Sequence, residues 1–296
     1  MDKIYLYLFY FFRFLVRVLP DFLLHPILNG IYHLIYFFDA KHKKIIRTNL
    51  DFAFGEVLSK TEKEEITKKC YKNLVYFLAD FIKNQGISKE ELAKKVTFKN
   101  KNILEDAIKN NQKIILITAH YGNWELISLA LSAFDKPITG VGRALDTKRL
   151  DTILKKNREQ FNIEVLNKNG AFRGMMRALK QGRLLGLLVD QNTSEKDGVL
   201  IDFFGKKARQ THSTSLLARK MDAVIIPAFI TTDDYKNYTV TFYDKITPIK
   251  TEDIDNDILK TTQEQANIIE KVIRQKPDEW FWFHKKWKNQ YEEIYK

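Results

Sequence analysis

The chain is poor in residues that cross-link, coordinate or interrupt. Its 296 residues hold one cysteine, Cys70, so no intramolecular disulfide can form. A lone thiol inside the helix-like segment 66–82 reads as packed or idle and fits a reducing compartment. Besides His120, the histidines are His25, His33, His42, His212 and His284, and none has a paired ligand spacing such as His-Glu-x-x-His, so no metal site is expected. There is no Gly-rich phosphate loop, which removes the kinase reading of Asp202-Phe203-Phe204-Gly205 and leaves it as an apolar wall near a site. No internal repeat, low-complexity tract or Pro/Gly linker divides the chain. An uninterrupted apolar run of about 20 residues, the usual requirement for a spanning helix, is also missing.

What is present narrows the choice. A hydrophobic content of 45% excludes a mainly disordered chain, and the length suits one α/β domain with attached elements. The net charge of +12 attracts something acidic: nucleic acid, anionic lipid, a phosphorylated substrate or an acidic carrier protein. The first forty residues favour lipid. Residues 4–12 are apolar and aromatic without interruption, a second apolar stretch follows at 27–38, and no small-residue cleavage site of a signal peptide lies between. Arg13 and Arg17 fall one turn apart on one face, as in an anchor lying at a membrane interface or barely spanning it, with both arginines snorkelling to head groups. Lys41, His42, Lys43, Lys44 and Arg47 would then meet an anionic cytoplasmic leaflet. The expected division is a membrane anchor at 1–40 and a catalytic domain at 41–296. A very apolar helix hairpin packed on the domain is the alternative.

Residues 41–84 read as helices, with Thr61 and Glu64 as a capping-box signal and Gly86 as the stop. Another helix is expected at 101–110. From Lys113 onward strands alternate with helices. Strands are predicted at 114–118, 138–142, 163–166, 184–189, 199–203, 224–229 and 238–242, and helices at 147–160, 171–181, 211–221 and 253–274. The fold class is therefore α/β, a mostly parallel central sheet flanked by helices. Ligands of such sheets bind beyond the carboxyl ends of the strands, where His120 and Asp190 both fall.

The run 114–117 is continuously apolar, as in a strand covered on both faces, and it ends at His120-Tyr121-Gly122-Asn123-Trp124-Glu125. Five positions apart on one helix, His120 and Glu125 would diverge by roughly 140°. A strand-turn-helix bend removes that difficulty: Gly122 supplies backbone freedom, Asn123 is a candidate N-cap, and Glu125 falls in the first helical turn. A neutral imidazole can take a proton from an attacking hydroxyl while a carboxylate holds its tautomer, and no covalent nucleophile stands in the segment. A structural strand-end histidine beside a helix-capping glutamate reads equally well from spacing alone.

Arg143, after the strand at 138–142, would point into the same mouth and could hold an oxyanion or a phosphate. Asp190 could orient an arginine or an acceptor, or form a turn. Arg173 and Arg177, one turn apart, could face lipid phosphates or water. The cluster Trp280-Phe281-Trp282-Phe283-His284-Lys285-Lys286-Trp287-Lys288 suits a membrane interface or an anionic partner; nucleic acid is not expected, because no nucleic-acid-binding signature accompanies it.

The order of His120-x4-Glu125, Val141-Gly142-Arg143, the segment 170–179, Val189-Asp190-Gln191, the segment 199–205, the segment 211–214, the segment 223–229 and the segment 277–288 resembles the late acyltransferases of lipid A biosynthesis, within the glycerolipid acyltransferase-like superfamily. The resemblance covers nearly the whole chain and implies that His120 and Glu125 are the family's His-x4-Asp/Glu pair. It implies an acyl-carrier-protein thioester as donor, a hydroxyl of a Kdo-lipid A precursor as acceptor, no cofactor, and a place on the cytoplasmic side of the bacterial inner membrane. A glycerol-phosphate-type acyltransferase is the nearest rival. That branch usually has Asp at the position of Glu125 and a Phe-Pro-Glu-Gly-like motif, which this chain lacks. A non-catalytic membrane-surface adaptor is the rival of another class.

Overall fold

The computed structural model describes residues 2–143 and 147–296. Five helices come first: α1 (Asp2–Val18), α2 (Asp21–Phe38), α3 (Ala40–Phe54), α4 (Lys60–Lys83) and α5 (Lys89–Lys95). Then follow β1 (Val96–Lys99), α6 (Asn102–Lys109), β2 (Lys113–Thr118), α7 (Trp124–Ala130), β3 (Ile138–Gly142), α8 (Lys148–Arg158), β4 (Ile163–Asn167), α9 (Ala171–Lys180) and β5 (Leu184–Leu188). The chain closes with β6 (Gly198–Phe203), β7 (Lys206–Thr211), α10 (Ser213–Met221), β8 (Ala223–Thr232), β9 (Tyr238–Phe242) and α11 (Ile254–Gln275).

Seven strands form one sheet in the order β1-β9-β8-β2-β5-β3-β4, and every pairing but β8 with β9 is parallel. The expected mostly parallel sheet flanked by helices is therefore what the chain builds. Alternation along β2 divides the core. Ile115 and Ile117 join α9, α10 and α11 on one face, while Ile114 and Leu116 join α5, α6 and α7 on the other.

Several expectations need correcting. Residues 199–203 do not extend the main sheet; β6 pairs only with β7, antiparallel. The charged strand Lys206–Thr211 and the edge strand Val96–Lys99 have no apolar run to announce them. The cap of α4 is Ser59 with Glu62, a reciprocal capping box two residues ahead of the expected pair. Cys70 is buried, as expected of a packed thiol.

The N-terminal hairpin packs on α4: Val16, Leu24 and Leu28 bury themselves among Val75, Tyr76, Ala79 and Ile82. Among the described residues no helix is long and apolar enough to cross a membrane. The outer face of the hairpin is nonetheless apolar. Tyr7, Phe11, Phe14, Phe22, Phe37 and Phe38 are all exposed, and α1 repeats its exposed positions at the helical spacing 7, 11, 14, 18.

Candidate active site

The polypeptide leaves β2 at Thr118 and bends sharply before α7. Gly122 makes the bend possible: its φ is +56°, and a β-carbon there would run into the Ile230 carbonyl. The Asn123 side chain then accepts from the Leu126 amide at 3.2 Å and caps α7, which sets Glu125 in its first turn. Asp80 on α4 accepts from Asn123 Nδ2 at 2.6 Å and ties the cap to the helical block.

The bend is splinted by the C-terminal segment. The Phe281 amide donates to the His120 carbonyl and the Gly122 amide to the Glu279 carbonyl, each at 2.9 Å. Tyr121 is buried and bridges to Trp280. His120 is thus held by backbone contacts on both sides before its ring makes any contact.

The carboxylate on that ring belongs to Asp190. Oδ1 lies 2.8 Å from His120 Nδ1, Oδ2 accepts from the His120 amide at 3.0 Å, and the Trp280 indole donates to Oδ2 at 2.8 Å. Asp190 is 3% exposed. Burial would raise its carboxyl pKa, but the His120 charge, the His120 hydrogen bond and the Trp280 indole hold it below the usual carboxylate range. For His120 the balance runs the other way. Burial alone would push the imidazole down; Asp190, by charge and by hydrogen bond, more than offsets it, with Glu125 adding in the same direction, and the pKa ends above its ordinary value. A proton on Nδ1 facing Asp190 leaves Nε2 as the acceptor. His120 Nε2 lies 3.2 Å from the side-chain nitrogen Nε2 of the exposed Gln191.

Glu125 does not hold the ring. Arg158 on α8 donates to it from Nε at 2.8 Å and again from a terminal nitrogen, a bidentate pair that is largely buried. This corrects the expectation of a His120–Glu125 hydrogen bond: the turn after His120 sends the Glu125 side chain toward α8, while β5 delivers Asp190 to the ring. The Glu125–Arg158 pair lines an apolar cavity together with Thr118 and Trp124, and Leu131, Ile138 and Ile163 are among its apolar lining residues.

Of the other expected residues, Arg143 is exposed directly after β3, at the same carboxyl end of the sheet. Arg173 and Arg177 are exposed on α9, which packs on the sheet face opposite the cavity, and Arg177 lies 3.7 Å from Glu164. The aromatic cluster 280–288 is not an exposed interface. Trp280, Trp282 and Trp287 are buried, and Phe203 of the 202–205 turn packs within 5.8 Å of Trp280 and 6.0 Å of Trp287. The Trp282 indole donates to the Pro277 carbonyl at 2.7 Å. Lys286 is wholly buried and donates to the Arg209 carbonyl at 3.2 Å; burial drives its pKa down to about 8 against the pull of Asp190. Arg158 is a residue that sequence reading passes over, and Trp280 and Lys286, read there as part of an exposed interface, are instead buried beside Asp190. Arg158 sits in an ordinary charged helix and has no signal, whereas the spacing of the tryptophans at 280, 282 and 287 was visible.

Among the described residues no cluster of three or more His, Cys, Asp or Glu could hold a metal ion. Residues 2–289 match the family described as bacterial lipid A biosynthesis acyltransferase. The lipid A biosynthesis lauroyltransferase of Escherichia coli (strain K12) is 24% identical over 284 residues, 95% of this chain and 90% of that protein. The lipid A biosynthesis palmitoleoyltransferase of the same strain is 22% identical over 253 residues, 85% of this chain and 80% of that one. The crystal structure of the 1-acyl-sn-glycerophosphate (LPA) acyltransferase PlsC from Thermotoga maritima aligns with a TM-score of 0.37 at 13% identity, over 80% of this chain and 95% of that one.

Proposed function

The chain belongs to the bacterial lipid A biosynthesis acyltransferases and is an acyltransferase, and from that membership we propose that it moves a fatty acyl chain from an acyl-carrier-protein thioester to a hydroxyl of a lipid A precursor, with His120 as general base. The observation that carries the reading is the His120 ring, fixed by Asp190 with Nε2 as acceptor, its centroid 5.2 Å from that of Trp124, which lines the neighbouring apolar cavity. Nε2 takes the proton as the acceptor oxygen attacks the thioester carbonyl carbon. The new carbon–oxygen bond forms, the carbonyl electrons move onto oxygen, and collapse breaks the carbon–sulfur bond. The imidazolium then returns the proton to the leaving thiolate. Asp190 steadies the charged imidazole through each step, and Glu125 adds negative charge while holding Arg158 at the cavity. Arg143 or backbone amides at the strand ends hold the oxyanion. Arg173 and Arg177 are candidate contacts for the acceptor's phosphates. The reaction needs no cofactor.

Placement at the cytoplasmic face of the inner membrane is part of the same proposal. The exposed aromatic face of α1 and α2, with Arg13 and Arg17 on the hairpin and Lys41 and Lys44 just beyond it, suits a hairpin lying in the interface with cations toward anionic head groups. Purified full-length protein, given acyl-carrier-protein thioester and lipid A precursor, should transfer acyl chains, and His120→Ala should lose about 10²- to 10⁴-fold in rate. His120→Ala protein that works at the wild-type rate would remove His120 from the chemistry.

A further inference from the structure

Two glycines lie side by side in the lining of the cavity, and their backbones give no reason for them. Gly140 on β3 and Gly186 on β5 are register partners and both line the cavity. Neither has a positive φ. Glycine inside a strand costs conformational entropy and gives up packing, so such a pair marks a place where something else comes close. The surroundings are open. A β-carbon on Gly186 would meet nothing within 4 Å, and one on Gly140 would meet only the Gly186 carbonyl, at 4.0 Å. Gly142, two residues along β3, is different: there a β-carbon would come within 2.9 Å of an Arg158 nitrogen.

Depth along the sheet gives the open space a meaning. Gly142 is at the carboxyl end of β3, the end at which Arg158, Glu125 and the His120 bend lie. At about 3.3 Å per residue, Gly140 is roughly 7 Å further in and Ile138 roughly 7 Å beyond that. The lining changes in the same direction, from the polar groups of Thr118, Glu125 and Arg158 to Leu131, Ile138 and Ile163. A chain with a reactive carbonyl near His120 and an apolar tail would cross Gly140 and Gly186 halfway along.

We infer that Gly140 and Gly186 are specificity-determining residues: their missing side chains keep open the inner half of an acyl-chain channel and set the longest fatty acyl group the enzyme accepts. This rests on the proposal that the donor's acyl chain occupies the cavity. A side chain at either position closes the inner half and leaves the mouth unchanged, so short chains still fit.

The test is a donor profile. Full-length wild-type protein, Gly186→Ala, Gly186→Val and Gly140→Ala are each assayed with acyl-carrier-protein thioesters from octanoyl to palmitoyl, with thermal melting recorded for every variant. A β-carbon at position 186 meets nothing within 4 Å and valine favours a strand, so the Gly186→Val protein should remain folded; the two alanine variants carry the test if it does not. Expected is a shift of the preferred donor to a shorter chain, with the wild type's best donor slowed about tenfold or more for each methylene that no longer fits and the shortest active donor unaffected. A folded variant with the wild-type profile, or one slowed equally on every chain length, overturns the inference while leaving the acyltransferase reading intact. Wild-type protein that transfers no chain from any donor removes the underlying reading and the inference with it.

Discussion

The two ends of the chain are written in much the same residues and come to opposite fates. Both mix large aromatics with lysine or arginine. The N-terminal hairpin turns its rings outward, with Phe22 and Phe37 at 74% and 73% exposed, while the C-terminal segment buries Trp282 and Trp287 completely. The difference is one of geometry. A helix repeats its faces, so α1 and α2 can pack one apolar stripe on α4 and leave another outside. Residues 280–291 contain no helix and wind over the sheet instead, with indoles inward at 280, 282 and 287 and the Phe281 amide bonded to the bend at His120. One region leaves its rings outside; the other completes the core and braces the bend at His120.

Substitutions in the two regions should therefore separate cleanly. The largest effect on stability belongs to Trp282→Ala, which empties a fully buried indole site and should cost about 3–5 kcal/mol in urea or thermal unfolding. Trp280→Phe keeps most of the volume but removes the donor to Asp190; the cost to folding should be small, while kcat falls about tenfold, as suits one lost hydrogen bond to a charged group. Serine at Phe11 or Phe22 should change stability by no more than about 0.5 kcal/mol per site, yet a Phe11→Ser, Phe22→Ser double variant should sediment less with anionic phospholipid vesicles than the wild type does. A double variant that unfolds, or that still sediments like the wild type, would erase the contrast between the ends.

The sequence made some of this visible. The strands at 138–142 and 238–242 stand where expected, the second as an apolar–polar alternation, and the Gly122-Asn123 bend is legible because glycine and asparagine have few other reasons to stand between a strand and a helix. The position of His120 at the end of β2 followed from the same run. Its partner did not follow. Glu125 was nearer along the chain, whereas Asp190 reaches the ring only because β5 is the parallel neighbour of β2, a pairing that depends on the order of strands in the sheet. The same holds for Arg158 and the glycine pair, which line the cavity through the packing of α8 and the register of β3 on β5. The aromatic C-terminus misled because composition alone does not distinguish an indole facing lipid from one facing a core.

The central claim is that Asp190 holds His120 as the base, and the pH dependence of acyl transfer tests it most directly. A base works in its neutral form, so the rate rises with pH through the pKa of His120. In the wild type that midpoint should lie above the ordinary histidine value of about 6.5, because Asp190 outweighs the effect of burial. Asp190→Asn removes the largest raising influence and leaves burial, so the acid limb should move to lower pH and the plateau rate should fall by about 10²- to 10⁴-fold; Glu125→Gln should move the limb less. An acid limb unmoved in Asp190→Asn but displaced in Glu125→Gln would contradict the account.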